Sequence, residues 1–324
     1  MRLFKSDAYI EVDTDSETIK LDQRDPIYGR RLVVEFDCLL TNSSHPNKGM
    51  VRIYNLTEYT RRKIVTNGKK VRLYAGYDGN EKLICVGDLM FADSRKEGVE
   101  WILEMRFGDG ATAFDNATTT VSVSDGTSVQ TVIDMLARDM GIVLKTAKDA
   151  LAGVLNGSLS LDGLSKDQLD KFTADHGLTW SIQDEELQVT IANEPIDFEA
   201  IVISAATGLL ESPQRLIKPP KPKKVVKIVK SSSSDGEKKR RTKEADASGD
   251  VKFRAQLHPD LRPGKLVKLE SVAFSVENSK DKTKQDKPID TSYNGVYICK
   301  NVVFSGDNNG GAFDAIVEAD AYNG

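Results

Sequence analysis

Hydrophobic and polar residues alternate with a period of two through residues 31–107. The alternation is clearest in three segments, 34–40, 71–77 and 101–107. This period is typical of strands that bury one face. Turn residues, among them Asp78-Gly79-Asn80 and Lys96-Glu97-Gly98, separate the strands and predict hairpins. We therefore predict an antiparallel meander with a polar outer face, an arrangement that tends to curl and close.

Three segments show helical features instead. A helix is predicted over 58–66, because Thr57 can accept backbone N–H bonds as an N-cap and Asn67-Gly68 supplies a stop. Residues 128–140 place apolar side chains at helical spacing, which predicts an amphipathic helix. A third helix is predicted to begin at Ser165, where Ser-x-x-Gln resembles a capping box.

The pattern of apolar residues changes from period two to helical spacing and back along the chain, which predicts three parts. Residues 117–194 are predicted to be a small α+β module, whose last element is a hairpin of 178–182 with 187–191. Strand patterning returns from residue 195 and predicts a second barrel or curved sheet, built like the first. The predicted fold class is mainly β, with the module between two β-rich domains, residues 1–116 and 195–324.

The C-terminal part contains a basic, low-complexity insertion, residues 218–250. Eleven lysines and arginines lie between Lys218 and Lys243, without an aromatic residue. We expect much of the insertion to be mobile, with 225–229 as an edge strand within it. It is either a solvated loop or a partner contact. The residues predicted for such a contact are Lys221, Lys223, Lys224, Lys227, Lys238, Lys239, Arg240 and Arg241.

The remaining composition excludes several classes of protein. The net charge is −4, so the total predicts neither a nucleic-acid binder nor an acidic tail. No stretch approaches the roughly 20 apolar residues of a membrane-spanning helix, and the first residues lack a signal-peptide core, so we expect no membrane insertion. The cysteines at 38, 85 and 299 are far apart in apolar runs, which predicts buried thiols in a reducing cytoplasm.

No motif for catalysis, metal binding or a cofactor is present. Gly108-Asp109-Gly110 is interpreted as a chain turn out of the first sheet. The acidic groups Asp13-Thr14-Asp15 and Asp184-Glu185-Glu186 fall in predicted turns, where solvent should keep them ordinary. Two alternatives stay open: a peptidoglycan hydrolase whose acid pair is brought together by folding, and a nucleic-acid-binding module that uses the basic insertion.

Two motifs in the right order resemble a known family. The first is Ile53-Tyr54-Asn55-Leu56-Thr57, followed by Val71-Arg72-Leu73-Tyr74-Ala75-Gly76-Tyr77 and then Gly87-Asp88. The second is residues 257–271, with a Pro-x-Leu-x-Pro-Gly turn that leads into a strand. Together they resemble the baseplate or tail hub proteins of long-tailed bacteriophages, across nearly the whole chain. The family members with this pattern come from contractile tails, and the motifs leave open whether this tail is contractile or non-contractile.

The resemblance implies tail-tube-like barrel folds for both β-rich domains and a non-enzymatic, structural role in the virion. Three subunits would form a pseudo-sixfold ring that joins the tail tube protein to a central spike, with the α+β module facing peripheral baseplate proteins. DNA would pass transiently through the lumen. Such a protein would be made in the host cytoplasm and would need no cofactor. The basic insertion departs from the family pattern, so the resemblance implies no particular contact for it.

Overall fold

The computed structural model describes residues 5–22, 31–77, 79–146, 151–216, 250–271 and 293–322. The N-terminal part contains β1 (Ser6–Thr14), β2 (Thr18–Lys20), β3 (Val34–Thr41), β4 (Lys48–Tyr54), α1 (Glu58–Asn67), β5 (Gly68–Tyr77), β6 (Asn80–Glu97) and β7 (Glu100–Gly108). The middle part contains α2 (Ala111–Asn116), β8 (Thr118–Val123), α3 (Val129–Asp139), β9 (Val143–Thr146), β10 (Leu159–Leu164), α4 (Ser165–Asp175), β11 (Leu178–Gln183) and β12 (Glu186–Ile191). The C-terminal part contains β13 (Asp197–Ser204), β14 (Gln214–Leu216), β15 (Asp250–Gln256), β16 (Lys265–Glu270), β17 (Gly295–Asp307) and β18 (Phe313–Ala321). The prediction of a mainly β chain with a small α+β module is confirmed.

A single sheet of 13 strands joins the two β-rich parts. Its order is β14-β15-β18-β17-β3-β4-β7-β6-β5-β1-β2, with β16 paired to β17 and β13 paired to β16. The two parts meet where β17 pairs antiparallel with β3, so that Val302 faces Leu40 and Phe304 faces Cys38. Among the described strands the pairing does not close into a barrel. The division into two barrel domains stays a prediction.

Alternation along the strands gives the sheet one buried face, as predicted. In β3, for example, Phe36, Cys38 and Leu40 are buried while Asp37 and Leu39 are exposed. The buried side chains of both β-rich parts form one continuous hydrophobic cluster, which spans β1 to β18. Burial of apolar area contributes about 25 cal/mol per Å², so this shared core is the main force that holds the two parts together.

The predicted elements around the first motif are confirmed. Thr57 Oγ1 accepts a hydrogen bond from Thr60 N at 3.3 Å, and α1 begins at Glu58. Gly76 lies where a Cβ atom would be 2.4 Å from the carbonyl oxygen of Asn80, so only glycine allows β5 and β6 to approach as they do. The motif is therefore structural.

The α+β module has its own core, formed by α3, α4 and the strands around them. The strands make a β8–β10 pair and a three-stranded sheet in which β9 runs parallel to β12. The predicted α3 and the β11–β12 hairpin are confirmed, as is the start of α4. No helix in the described part of the chain has the length and apolarity that a bilayer crossing requires.

The predicted capping box of α4 is wrong. The N-cap is Leu164, which makes no side-chain cap bond. Ser165 is instead the first helical residue, buried, with its Oγ 2.8 Å from the Thr119 Oγ1. Gln168 Nε2 donates to the Asp162 carbonyl oxygen at 2.8 Å. The side chains of the apparent motif are therefore used to hold α4 against the β8–β10 pair.

Candidate functional site

A buried polar network joins the module to the main sheet. At its centre is Asn47, which is 1% exposed and lies just before β4. Its Oδ1 accepts from Thr41 N at 2.8 Å, and its Nδ2 donates to Ile182 O at 2.9 Å and to Gln183 Oε1 at 3.0 Å. Gln183 Nε2 donates in turn to Thr41 O at 2.7 Å. The network thus fixes the β11–β12 hairpin on the ends of β3 and β4.

Asp109 is the acidic member of this network. The Gly108-Asp109-Gly110 turn links β7 to α2, as predicted, and leaves Asp109 only 2% exposed. Its Oδ1 accepts from Glu185 N at 2.9 Å, and its Oδ2 lies 3.4 Å from Asn47 Nδ2. Burial, together with the nearby Asp184 carboxylate, raises the pKa of Asp109 to about 7. The carboxyl group therefore titrates near neutral pH.

The acidic turn of the module is held by two basic residues of the sheet. Lys70 on β5 forms an ion pair with Glu185, and Arg262 Nη1 lies 3.5 Å from Asp184 Oδ1. Both Asp184 and Glu185 have positive φ values, 53° and 69°, in the left-handed region that disfavours residues with a Cβ atom. The two acids lie in a turn, as predicted, and in addition the sheet supplies an ionic partner for each of them.

Arg262 belongs to the second sequence motif and has a further role. Its Nη1 donates to Ile84 O at 2.7 Å and its Nη2 donates to Leu83 O at 2.6 Å. Gly264 follows with φ 82°, and its N–H donates to Cys299 O at 2.8 Å. The Pro-x-Leu-x-Pro-Gly turn therefore connects β6, β17 and the module at one point.

A groove of about 420 Å³ lies beside this junction. It contains both signs of charge, and these are largely paired: Lys82 Nζ lies 3.1 Å from Asp260 Oδ2, and Lys145 Nζ lies 2.8 Å from Glu186 Oε2 next to it. The side chains around it include Lys82, Lys145, Asp184, Asp260, Arg262 and Lys265. Because most of these charges are already paired, and Arg262 bonds to backbone carbonyls, the lining holds neighbouring segments of the chain together and is poorly suited to bind a charged ligand.

Three acids with unusual surroundings in the described ranges, Asp109, Asp7 and Asp13, do not form a hydrolase pair that a substrate could reach. Asp109 has the raised pKa that a general acid needs, but it is sealed in the junction and both of its oxygens face N–H donors. Arg31 lies between Asp7 and Glu81, at 3.6 Å and 3.5 Å, and all three side chains are nearly buried. Asp13 lies in β1 rather than in a turn. Burial opposes its ionisation, but bonds from Thr18 and Arg72 offset this and lower its pKa.

The thiols offer no nucleophile. Cys38, Cys85 and Cys299 are free and buried, as predicted. Contact with Cys38, together with burial, raises the pKa of the Cys85 thiol, and burial raises the pKa of Cys299 to about 12, so both stay protonated at neutral pH. Within the described ranges no group of three or more His, Cys, Asp or Glu residues could hold a metal ion.

The residues predicted for a partner contact lie outside the described residues, as does the predicted strand 225–229. That group is Lys221, Lys223, Lys224, Lys227, Lys238, Lys239, Arg240 and Arg241. Sequence reasoning missed the roles of Asn47, Asp109 and Arg262. Arg262 stood inside a quoted motif and Asp109 between two glycines, so the local signal was a turn and not a buried contact.

The fold is that of phage tail proteins, which confirms the resemblance at the level of fold. The chain is similar to the 43 kDa tail protein of prophage MuSo2 from Shewanella oneidensis, with 9% identity, a TM-score of 0.60, and 97% and 98% of the two chains covered. It is also similar to the tail protein from Neisseria meningitidis MC58, at 12% identity and a TM-score of 0.56, covering 97% of this chain and 96% of that one.

A third similar structure comes from a secretion system. The E. coli c3393 protein, a type VI secretion component with structural similarity to the T4 tail proteins gp27 and gp5, is 10% identical with a TM-score of 0.55; the match covers 90% of this chain and 74% of that one. No protein-family model matches the sequence, and no curated protein matches it either. At these identities the likeness shows the fold alone.

Proposed function

We propose that this chain is a structural, non-enzymatic hub subunit of a phage tail baseplate. The observation that carries the proposal is the end-to-end match with two tail proteins, which covers 96% or more of each chain. An enzyme grafted on this fold would need an accessible reactive group, whereas the three cysteines and Asp109, the carboxyl group whose pKa is raised, are all buried. The buried polar network around Asn47 joins the module to the sheet, which is a structural role.

In the proposed assembly three copies form a pseudo-sixfold ring between the tail tube and the central spike. The two β-rich parts, predicted as residues 1–116 and 195–324, would each provide one of the six units. The module, predicted as residues 117–194, would face peripheral baseplate proteins, and the lumen would let DNA pass. The joint at Asn47 and Asp109 supports this arrangement, because a module that transmits force from the periphery has to be held at a fixed angle to the ring.

Mass measurement and electron microscopy of the purified protein test the proposal. We expect particles of three chains with a central channel, alone or after addition of its tube and spike partners. Particles of a different copy number, or single chains even when both partners are present, would refute the trimeric hub. Incubation with purified cell walls tests the non-enzymatic role. Release of soluble fragments above the level of a heat-denatured sample would contradict it.

We also propose that the basic insertion contacts a partner with an acidic surface. Its charge without aromatic residues suits an electrostatic contact rather than stacking on bases. Replacement of Lys238, Lys239, Arg240 and Arg241 by glutamine should weaken binding to a baseplate partner and flatten its dependence on salt, while the trimer is retained. Unchanged binding would leave the insertion as a solvated loop. Salt-sensitive DNA retention that the same variant loses would favour the nucleic-acid alternative.

A further inference from the structure

An exposed apolar patch covers the outer face of the main sheet where its two parts meet. The side chains come from β3, β4, β6 and β17 and surround a concavity of about 560 Å³. We call the following set the outer-face patch: Leu39, Met50, Met90, Phe91 and Val303. Clustered exposed apolar side chains mark interaction sites in soluble proteins, while single ones carry no such meaning. The patch therefore points to a partner.

A β-bulge in β6 creates the most exposed part of the patch. Leu89 pairs with Phe107 and Phe91 pairs with Arg106, which leaves Met90 without an opposite residue. Met90 is 64% exposed and its neighbour Phe91 is 47% exposed. In a regular strand one of two consecutive side chains would point to the buried face. The bulge thus presents two large apolar side chains to solvent, and the rest of the chain covers them only in part.

The edge of the patch is mainly basic. Arg106 lies over the Phe91 ring, with its guanidinium carbon 5.3 Å from the ring centroid. Lys48 is exposed and forms no ion pair with any residue that the structure describes. Of the residues that the structure describes, Asp37 is the one acid that lines the concavity, and its Oδ1 accepts from Ser305 Oγ at 2.6 Å. A partner that fits here should offer a large apolar side chain beside an acid.

The chain itself carries such a group at the start of β13. Phe198 is 73% exposed and lies between Asp197 and Glu199. The pairing of β13 with β16 shifts register between Asp197 and Ala200, so Phe198 and Glu199 are left out of the ladder. Glu199 is exposed and makes no ion pair within the described ranges. The segment is an aromatic side chain with acidic neighbours on an edge strand, complementary to the outer-face patch.

We propose that a second copy of this chain docks on the outer-face patch, with Phe198 in the concavity and Glu199 facing Lys48. The inference rests on the proposed function, for which it supplies the contact between neighbouring subunits. The two surfaces differ, so the contact is head-to-tail, and a head-to-tail contact repeated by a closing rotation gives a ring. A central aromatic anchor with a charged rim is the usual composition of an interface hot spot.

Cysteine cross-linking tests which surfaces meet. The variant with both Met90→Cys and Phe198→Cys should give disulfide-linked species up to three chains under a mild oxidant, visible on non-reducing gels. Each single variant is the matched control and should stay uncross-linked, because neither surface meets itself. The native cysteines are buried and can be retained. Absence of cross-links in the double variant, or cross-links that stop at two chains, overturns the proposal.

A charge exchange provides an independent measurement by equilibrium sedimentation. Lys48→Glu and Glu199→Lys should each raise the dissociation constant for self-association about three- to tenfold, and the double variant should return to within about twofold of wild type. Both positions are exposed, so circular dichroism should stay unchanged. Threefold rings that ignore these changes and do not cross-link would sink this inference and leave the proposed function standing. Head-to-tail cross-links that build open chains instead of threefold rings would support the contact between the two surfaces and refute the proposed ring-shaped hub. A wild type that stays monomeric and does not cross-link overturns the inference.

Discussion

The titration of Asp109 gives the sharpest test of the sheet–module junction. The group is buried, with a pKa of about 7 in the folded protein against an ordinary value of 3.8. Asp184 and Glu185 face it from the β11–β12 turn, and their own charges are balanced by Arg262 and Lys70. Deprotonation of Asp109 therefore adds a charge that no Lys or Arg side chain of the described residues contacts directly.

The sign and size of the effect of Asp109 on the free energy of unfolding follow from proton linkage. Between about pH 4 and pH 7 the folded state holds a proton on Asp109 that the unfolded state has lost. The stabilisation from this group is therefore complete at low pH and is lost as the pH rises to 7. A difference of about three between the two pKa values corresponds to about 4 kcal/mol, of which about 3 kcal/mol falls between pH 5 and pH 8.

Asp109→Asn removes this titration while it keeps the shape of the side chain. We expect the free energy of unfolding of the variant, minus that of the wild type, to rise by about 3 kcal/mol from pH 5 to pH 8. The amide has only one acceptor oxygen where the carboxyl group faces two N–H donors, and this loss displaces the whole curve by about 1–3 kcal/mol without changing its slope. The slope is therefore the quantity to measure.

Tryptophan fluorescence during urea unfolding provides the assay. The chain has two tryptophans, and Trp180 lies in the module core while Trp101 lies in the sheet. In a Trp101→Phe background the signal reports on the module alone. Asp115→Asn is the control, because that carboxylate is in the next helix with its side chain 62% exposed. The reasoning is refuted if the free energy of unfolding of Asp109→Asn, minus that of the wild type, changes by less than about 0.5 kcal/mol between pH 5 and pH 8.

Three further substitutions test the packing around the junction and the sheet. Asn47→Ala should lower the free energy of unfolding by about 2–4 kcal/mol, because it leaves buried groups of Thr41 and Gln183 without partners; a loss below 1 kcal/mol would contradict this. Arg262→Lys keeps the charge but replaces the two terminal nitrogens of a planar fork by one ammonium nitrogen, which cannot keep the geometry of both carbonyl bonds and of the contact with Asp184. Urea denaturation should therefore show a loss of about 1–3 kcal/mol, with retention of full stability as the contrary result. Gly49→Ala places a Cβ atom 2.3 Å from Phe107 Cζ and should cost about 1–3 kcal/mol in the same assay. Phe107→Leu in that variant should return part of the loss, and an additive loss would argue against the clash.

The strand meander and the helices could be predicted because their signals are local. The alternation in β3 and β5 reports the buried face directly, and Thr57 and Ser128 cap their helices as residues of their type do. In β7 the predicted alternation is wrong at its start, because Trp101 is exposed while Ile102 and Glu104 are buried. The α4 capping box failed for a tertiary reason, since the Ser165 hydroxyl is engaged by Thr119 on a neighbouring strand. A four-residue motif cannot reveal a competing partner 46 residues away.

The junction could not be predicted because its contacts are long-range. Asn47 and Gln183 are 136 residues apart in sequence, and Asp109 and Glu185 are 76 apart. Asn47 and Asp109 are residue types that are common in turns, so their local sequence predicts a turn and gives no sign of a buried contact. The pairing of β17 with β3, which unites the two β-rich parts, could not be predicted for the same reason, because residues 301–307 pair with residues 35–41. Period-two patterns define the faces of strands but not their order in a sheet.

The two sequence motifs owe their spacing to this topology. The first places Gly76 and Gly87 where backbones of neighbouring segments nearly touch: a Cβ on Gly87 would lie 2.4 Å from the carbonyl carbon of Gly108. The second sends Arg262 back to the carbonyls of β6, only a few residues before Gly87. The motifs therefore meet in space on both sides of one strand, although more than 170 residues separate them. Arg262 bonds to the carbonyls of β6 and contacts Asp184 of the module, so the second motif links the sheet, the Pro-Gly turn and the module at one place and is more than an isolated turn.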